Sequence, residues 1–348
     1  MANYQWKHAD ELKATAKAMV ADYKGILAAD ESNNTATKRL EEVGITSSEE
    51  ARRQYRKLLF NAPDVDNYIS GVILYDETIK QSDDNGTPFP ELLKGRGIIP
   101  GIKVDTGAKP LAGSPNEKVT EGLDGLRERL AEYYNMGARF SKWRAVITIG
   151  DDMPTQQCME ANAHALARYS ALCQENGLVP MVEPEVMING DHDIDTCEEI
   201  TEDNLRIVFD ELFRHNVMLE GVVLKTSMVI SGLDAPKRAG VQEVADRTVS
   251  TLQRVVPPAL GGVVFLSGGQ GDVEATQHLD AMNKKFKDQV PWRLTFSYAR
   301  ALQNPALATW GSDMSNTEQA QKNFGFRAKL NSLASMGEYS EDMESKVA

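Results

Sequence analysis

The feature that most constrains this chain is a rhythm. Eight short β-rich runs recur along it, at 25–30, 68–75, 98–105, 139–146, 178–186, 221–228, 262–268 and 292–299. Successive runs start roughly 30 to 43 residues apart, about one strand–helix unit with its loops. Helical patterns fill the gaps. Ser47 with Glu50 reads as a capping box, and Ala51, Tyr55, Leu58 and Leu59 follow at helical spacing. Further apolar stripes run through Leu123, Leu126, Leu130 and Tyr134, and through Met159, Ala163, Leu166, Ser170 and Cys173, with Gly177 as a C-terminal cap. Leu205, Val208, Phe209 and Leu212 form another, as do Val241, Val244, Ala245, Thr248 and Leu252. We read these stripes as core packing. The unit between the second and third runs is weakly helical, and 83–90 reads as a loop.

Eight such units predict an α/β fold, a single (β/α)8 TIM barrel over 1–348 with its strands within 25–299. The alternative, an open doubly wound sheet, needs a glycine-rich turn after the first strand, and residues 28–34 contain no glycine. A C-terminal helix is expected near 317–335. The stretch 336–348, with four acids and one lysine, is expected to be a mobile tail. A net charge of −13 argues against general binding of nucleic acid or an anionic membrane. It leaves room for a small anion held by a local basic cluster. No apolar run approaches the roughly 20 residues that span a bilayer, and the first ten residues lack the apolar core of a signal peptide. Cys158, Cys173 and Cys197 form no CxxC pair and no even framework, which fits core thiols in a reducing compartment. A cytoplasmic location is expected.

In a barrel of this kind, reactive groups lie at the C-terminal ends of the strands. Those ends carry Asp30, Lys103 with Asp105, Lys142 with Arg144, Glu183 with Glu185, Lys225, the turn Ser267-Gly268-Gly269, and Ser297 followed by Arg300. Side chains alternate faces along a strand. Lys142 and Arg144 therefore share a face opposite Trp143, and Glu183 and Glu185 share one opposite Val182 and Pro184. Buried unpaired charge is costly, so charges on so many strand ends point to a site rather than to isolated structural ion pairs. Several lysines among carboxylates suit an amine nucleophile and an anionic substrate. A lysine beside another has its charged form disfavoured. The neutral amine attacks a ketone, the resulting iminium draws electrons from the adjacent C–C bond, and carboxylates move the protons. The glycine-rich turn after the seventh strand opens a helix, where backbone N–H groups hold phosphate.

These residues fall in stretches that resemble the class I fructose-bisphosphate aldolase family: GILAADES (25–32), GVILYDET (71–78), GIKVDTG (101–107), FSKWR (140–144), VPMVEPE (179–185), GDHD (190–193), VLK (223–225), FLSGGQ (265–270) and TFSYARAL (295–302). They run in family order over nearly the whole chain. The resemblance implies that Lys225 is the Schiff-base lysine attacking C2 of the ketose. It implies that Glu183 shuttles protons during iminium formation, with Glu185 tuning its charge. Asp30 looks like the base for the C4 hydroxyl. Lys142 looks like the neighbour that lowers the pKa of Lys225 and holds substrate oxygens. Ser267, Gly268 and Arg300 look like one phosphate site, with Ser297 beside it. Ser32, Thr35, Arg39, Lys103 and Arg144 look like the rest of the groove. The implied reaction is cleavage of fructose 1,6-bisphosphate to dihydroxyacetone phosphate and glyceraldehyde 3-phosphate, without metal or cofactor, in a homo-oligomer, commonly a tetramer.

The chain departs from the family pattern in places. Thr226-Ser227 replaces Pro-Asn after the nucleophilic lysine. Ala299 replaces a glycine, which crowds a phosphate at that N–H or costs about 1 kcal/mol if φ is positive there. Many animal and plant members end in a tyrosine, whereas this sequence ends in Lys346-Val347-Ala348. Other readings stay open: a barrel enzyme preferring sedoheptulose bisphosphate or fructose 1-phosphate, a zinc site at GDHD, or a scaffold. His192 lacks a second nearby histidine, so a solvated loop is expected there.

Overall fold

The structure, a computed structural model, describes residues 5–346. Strands and helices alternate as the rhythm predicts. A leading helix α1 (Ala9–Met19) precedes β1 (Gly25–Ala29), α2 (Asn33–Glu42) and α3 (Glu49–Phe60). Then come β2 (Ile69–Leu74), the short α4 (Asp76–Ile79) and α5 (Phe89–Gly95), β3 (Ile99–Lys103), and a hairpin of β4 (Gly107–Pro110) and β5 (Lys118–Glu121). The series continues with α6 (Leu126–Asn135), β6 (Phe140–Ile147), α7 (Gln156–Glu175), β7 (Val179–Val186), α8 (Ile194–Arg214), β8 (Val223–Thr226), α9 (Val241–Val255), β9 (Gly262–Phe265), α10 (Asp272–Phe286) and β10 (Leu294–Tyr298). It ends with α11 (Arg300–Ser312), α12 (Thr317–Ala334) and a 3-10 turn, Glu341–Lys346.

Eight parallel strands close on themselves in the order β1-β10-β9-β8-β7-β6-β3-β2. Each contains part of one of the eight runs. Alternation then sorts the side chains. Trp143, on the outward face of β6, is fully buried against Tyr169 of α7, with ring centroids 5.5 Å apart. The inward positions low in the barrel are apolar: Ile26, Phe140, Val179, Met181, Val223 and Val264 form one cluster with Leu12, Ala16 and Met19 of α1. Helix α1 thus closes the floor. Phe140 fills the space that glycine leaves beside it, since a Cβ on Gly101 would meet its ring at 2.2 Å. One step higher on the same inward faces stand Lys142, Glu183 and Lys225, above the apolar layer.

Three expectations need correction. The cap of α3 is Ser48, whose hydroxyl accepts from Ala51 N at 3.0 Å. Glu50 is then the second helical residue, one short of the capping-box position, and it pairs with Arg53 instead. Ser47 bonds the Thr37 hydroxyl at 2.8 Å. Second, residues 336–346 are docked. Tyr339 is 3 % exposed, its N–H donates to Asp280 Oδ1 at 2.9 Å, and Arg327 of α12 pairs with Glu344 at 2.6 Å. An aromatic ring and a buried guanidinium anchor the acidic stretch. Residues 347 and 348 of the expected tail lie outside the described residues. Third, the loop at GDHD is not solvated around His192. That ring is buried, both its nitrogens lack a protein partner, and burial holds its pKa below the ordinary value. The motif's last residue, Asp193, caps α8 by accepting from Thr196 N at 2.8 Å. Among the described residues, no helix is long and apolar enough to cross a membrane.

Candidate active site

The C-terminal ends of the strands surround a cavity of about 330 Å³. Of the site residues that the resemblance named, all but Arg39 line it: Asp30, Ser32, Thr35, Lys103, Lys142, Arg144, Glu183, Glu185, Lys225, Ser267, Gly268, Ser297 and Arg300. Arg39 points the other way. It pairs with Glu31 and donates to Gln303 Oε1 at 3.1 Å and Asn304 Oδ1 at 3.2 Å. Glu31, next to Asp30 at the rim of the cavity, holds both Arg39 and Arg56 in ion pairs.

The centre of the cavity is a chain of charges. Lys225 Nζ lies 3.1 Å from Glu183 Oε1. Lys142 Nζ lies 2.6 Å from Asp30 Oδ2 and 3.2 Å from Glu183 Oε2. The last contact is electrostatic only, because Glu183 Oε2 has no aligned hydrogen-bond donor. One carboxylate therefore sits between two lysines with a lone pair still available. All four groups are buried. Burial pushes the Asp30 carboxyl up, but Lys142, with Lys225 and Lys103 behind it, outweighs this and brings it down to about 2. Burial also opposes ionisation of Glu183, and Lys142, Lys225 and Arg144 again prevail, leaving its pKa below the usual value. For Lys142, burial favours the neutral amine, yet Asp30 and Glu183 overcome it and raise its pKa. Lys142 is thus firmly cationic.

Around this centre the rim divides. Strands β9, β10 and β1 are neighbours in the barrel. The turn after β9 has Gly268 at φ +57° and Gly269 at φ +101°, a left-handed path that glycine takes without strain. Arg300 Nη2 lies 3.7 Å from where a Cβ on Gly269 would stand, so the guanidinium covers the turn. Among the described residues no carboxylate is within ion-pair distance of Arg300. Ser297 Oγ, on β10, is buried without a partner. Beyond β1, Ser32 caps α2 and its hydroxyl lies 3.1 Å from that of Thr35. Opposite, Lys103 Nζ contacts Asp105 Oδ1 at 2.7 Å, and Arg144 pairs with Glu185. The mouth therefore offers hydroxyls, backbone amides and cations around a central amine–carboxylate pair. That arrangement suits a substrate with anionic ends and a reactive carbonyl between them.

A family profile described as "Fructose-bisphosphate aldolase class-I", within the glycolytic group, matches residues 11–348. The chain belongs to the class I fructose-bisphosphate aldolase family. A curated relative from Xanthomonas campestris pv. campestris, named a probable fructose-bisphosphate aldolase class 1, is 57 % identical over 95 % of this chain and 98 % of its own. A relative from Arabidopsis thaliana, named fructose-bisphosphate aldolase 6, cytosolic, is 48 % identical over 98 % of this chain and 95 % of its own. Among solved structures, the Plasmodium falciparum aldolase, in a complex with TRAP and a small-molecule inhibitor, superposes with a TM-score of 0.95 at 45 % identity, covering 97 % of each chain.

Against this aldolase background the departures are accommodated. Thr226 and Ser227 are buried, and the Ser227 hydroxyl donates to the Val186 carbonyl at 2.9 Å, tying the end of β8 to that of β7. Ala299 has φ −104°, so alanine carries no left-handed strain there. The sequence reading missed the hairpin, whose Gly107 and Ala108 line the mouth, and the bracing role of Asp105, which accepts from Arg144 N at 3.3 Å. Asp105 was visible at a strand end. The hairpin, four residues per strand and half of them exposed, gave no alternating pattern to find.

Proposed function

We propose that this aldolase cleaves fructose 1,6-bisphosphate through a Schiff base on Lys225. The observation that carries the reading is the Lys225–Glu183–Lys142–Asp30 chain of contacts in the mouth. The Lys225 amine gives up its proton to Glu183 and attacks C2 of the ketose. Glu183 returns a proton as the carbinolamine loses water, leaving an iminium. Asp30 takes the C4 hydroxyl proton, the C3–C4 bond breaks, and its electrons flow into the iminium to give an enamine. Glyceraldehyde 3-phosphate leaves. Protonation at C3 and hydrolysis then release dihydroxyacetone phosphate. A carboxyl with a pKa of about 2 is a weak base, so Asp30 gains basicity only when Lys142 turns to a substrate oxygen. Ser267, Gly268, Ser297 and Arg300 hold one phosphate, and Ser32, Thr35, Lys103 and Arg144 face the other end. Glu185 holds Arg144.

The same reading makes the chain a cytoplasmic homo-oligomer acting on a free sugar phosphate. It is supported by the cytosolic Arabidopsis relative and by the family resemblance. Borohydride added with dihydroxyacetone phosphate is expected to leave one mass adduct, on Lys225. An unmodified Lys225, with cleavage that EDTA abolishes, would overturn the mechanism. Light scattering of the purified chain tests the oligomer, and a monomer mass would refute it.

A further inference from the structure

Away from the mouth, the outer helical ring holds a second group of chemically capable side chains. His164 projects from the middle of α7, and Glu211 and His215 lie one turn apart at the end of the neighbouring α8. The chain has only five histidines, and two of them meet here. One ligand-type atom from each of the three residues lies within 4.8 Å of the others. Among the described residues this is the one such group of three. None of the three lines the barrel mouth, and the mechanism uses none of them.

The geometry is directional. Glu211 Oε2 lies 3.0 Å from His164 Nδ1 and 3.7 Å from His215 Nδ1. The other oxygen accepts from Arg214 Nη1 at 2.9 Å. His215 Nδ1 lies 2.9 Å from the backbone carbonyl of Glu211. A carbonyl only accepts, so the ring proton is on Nδ1 and the lone pair is on Nε2. A backbone bond of this kind orients metal-binding imidazoles. A groove of about 810 Å³, lined in part by His164 and Glu211, gives access from solvent.

We propose that His164, Glu211 and His215 form a binding site for a divalent transition-metal ion of the imidazole-preferring class, with Zn2+, Ni2+ and Cu2+ as its members. Two imidazoles with one carboxylate suit these ions, whereas Mg2+ and Ca2+ favour all-oxygen sets. Bonds of about 2.0–2.1 Å to a tetrahedral ion bring ligand atoms to roughly 3.3 Å apart, so a separation as wide as 4.8 Å contracts by about 1.5 Å on binding. The side chain of His164 is 54 % exposed, and rotation about its own bonds supplies that movement. Arg214 is 70 % exposed and is free to leave the carboxylate as the cation arrives. The bound ion cross-ties α7 to α8 on the outer wall and leaves the Lys225 chemistry untouched.

The test uses the untagged full-length chain, stripped with EDTA and returned to chelator-free buffer at neutral pH. It is titrated with ZnCl2 by calorimetry and with CoCl2 by visible absorption. One equivalent is expected to bind, and His164→Asn and His215→Gln are each expected to weaken it at least tenfold. The double variant loses the site and the metal-induced rise in Tm. Circular dichroism of each metal-free variant, matching the parent, certifies the fold. His164→Asn, on the exposed face, preserves the test if the change at His215 harms folding. No uptake at millimolar metal, or uptake with affinity unchanged in the His164→Asn variant, overturns the proposal.

Discussion

At the residue scale, one carboxylate organises the mouth. Glu183 meets Lys225 with one oxygen and the charge of Lys142 with the other. It is therefore placed to pass a proton without moving. Lys225→Ala is expected to fold normally and lose cleavage to background, as read by circular dichroism and single-turnover kinetics; retained turnover would place the nucleophile elsewhere. Glu183→Gln keeps the shape but removes the proton carrier, and a loss of about 10²–10⁴-fold in kcat is expected. An unchanged kcat would assign the proton transfers to another group. Alternation made part of this scale legible, since it paired Lys142 with Arg144 and Glu183 with Glu185 on shared faces, while the roles came from the family resemblance. Arg39 was misplaced because its competing partners, Gln303 and Asn304, come from the far end of the chain and only folding brings them near. No local pattern carries that information.

At the scale of elements, the strands were readable because their outward faces bury against helices and the inward faces of β3, β6, β7 and β8 change from apolar to charged along the strand. Helix boundaries were less so. Ser47 and Ser48 are adjacent serines ahead of the same apolar stripe, and propensity does not choose between them. The hydrogen bond to Ala51 N decides for Ser48. Ser48→Ala is accordingly expected to cost about 1 kcal/mol of stability, and Ser47→Ala distinctly less. Urea midpoints of the two variants check this, and equal losses would contradict the assignment. The docked acidic stretch was illegible for a different reason. Composition suggested solvation, but Arg327 and the Tyr339 ring supply burial partners from α12 and from the stretch itself.

At the scale of the whole molecule, acid acts through buried groups on opposite sides of one barrel wall. His278 of α10 is buried, and its Nδ1 lies 2.6 Å from Gln270 Oε1. Burial lowers its pKa to about 4 from an ordinary 6.5. Between those values the unfolded chain binds a proton that the native chain refuses, so stability falls as pH falls through that window. Between pH 7 and pH 5 this amounts to about 2 kcal/mol. Asp30 adds a second loss lower down. Its contribution is present above 3.8 and disappears as pH falls through about 2. Denaturant midpoints at pH 7 and pH 5 are expected to differ less in His278→Gln than in the parent. Equal shifts would show that another group governs the acid limb.

Helix α1 seals the floor of the barrel, and Phe140 packs the space above it. Entry and exit therefore share one opening, and a reaction that yields two fragments empties as a queue. In the proposed mechanism the fragment bonded to Lys225 waits at the bottom until water releases it. The other fragment has to clear the doorway first. Release order is set by the shape of the vessel as much as by the bonds within it.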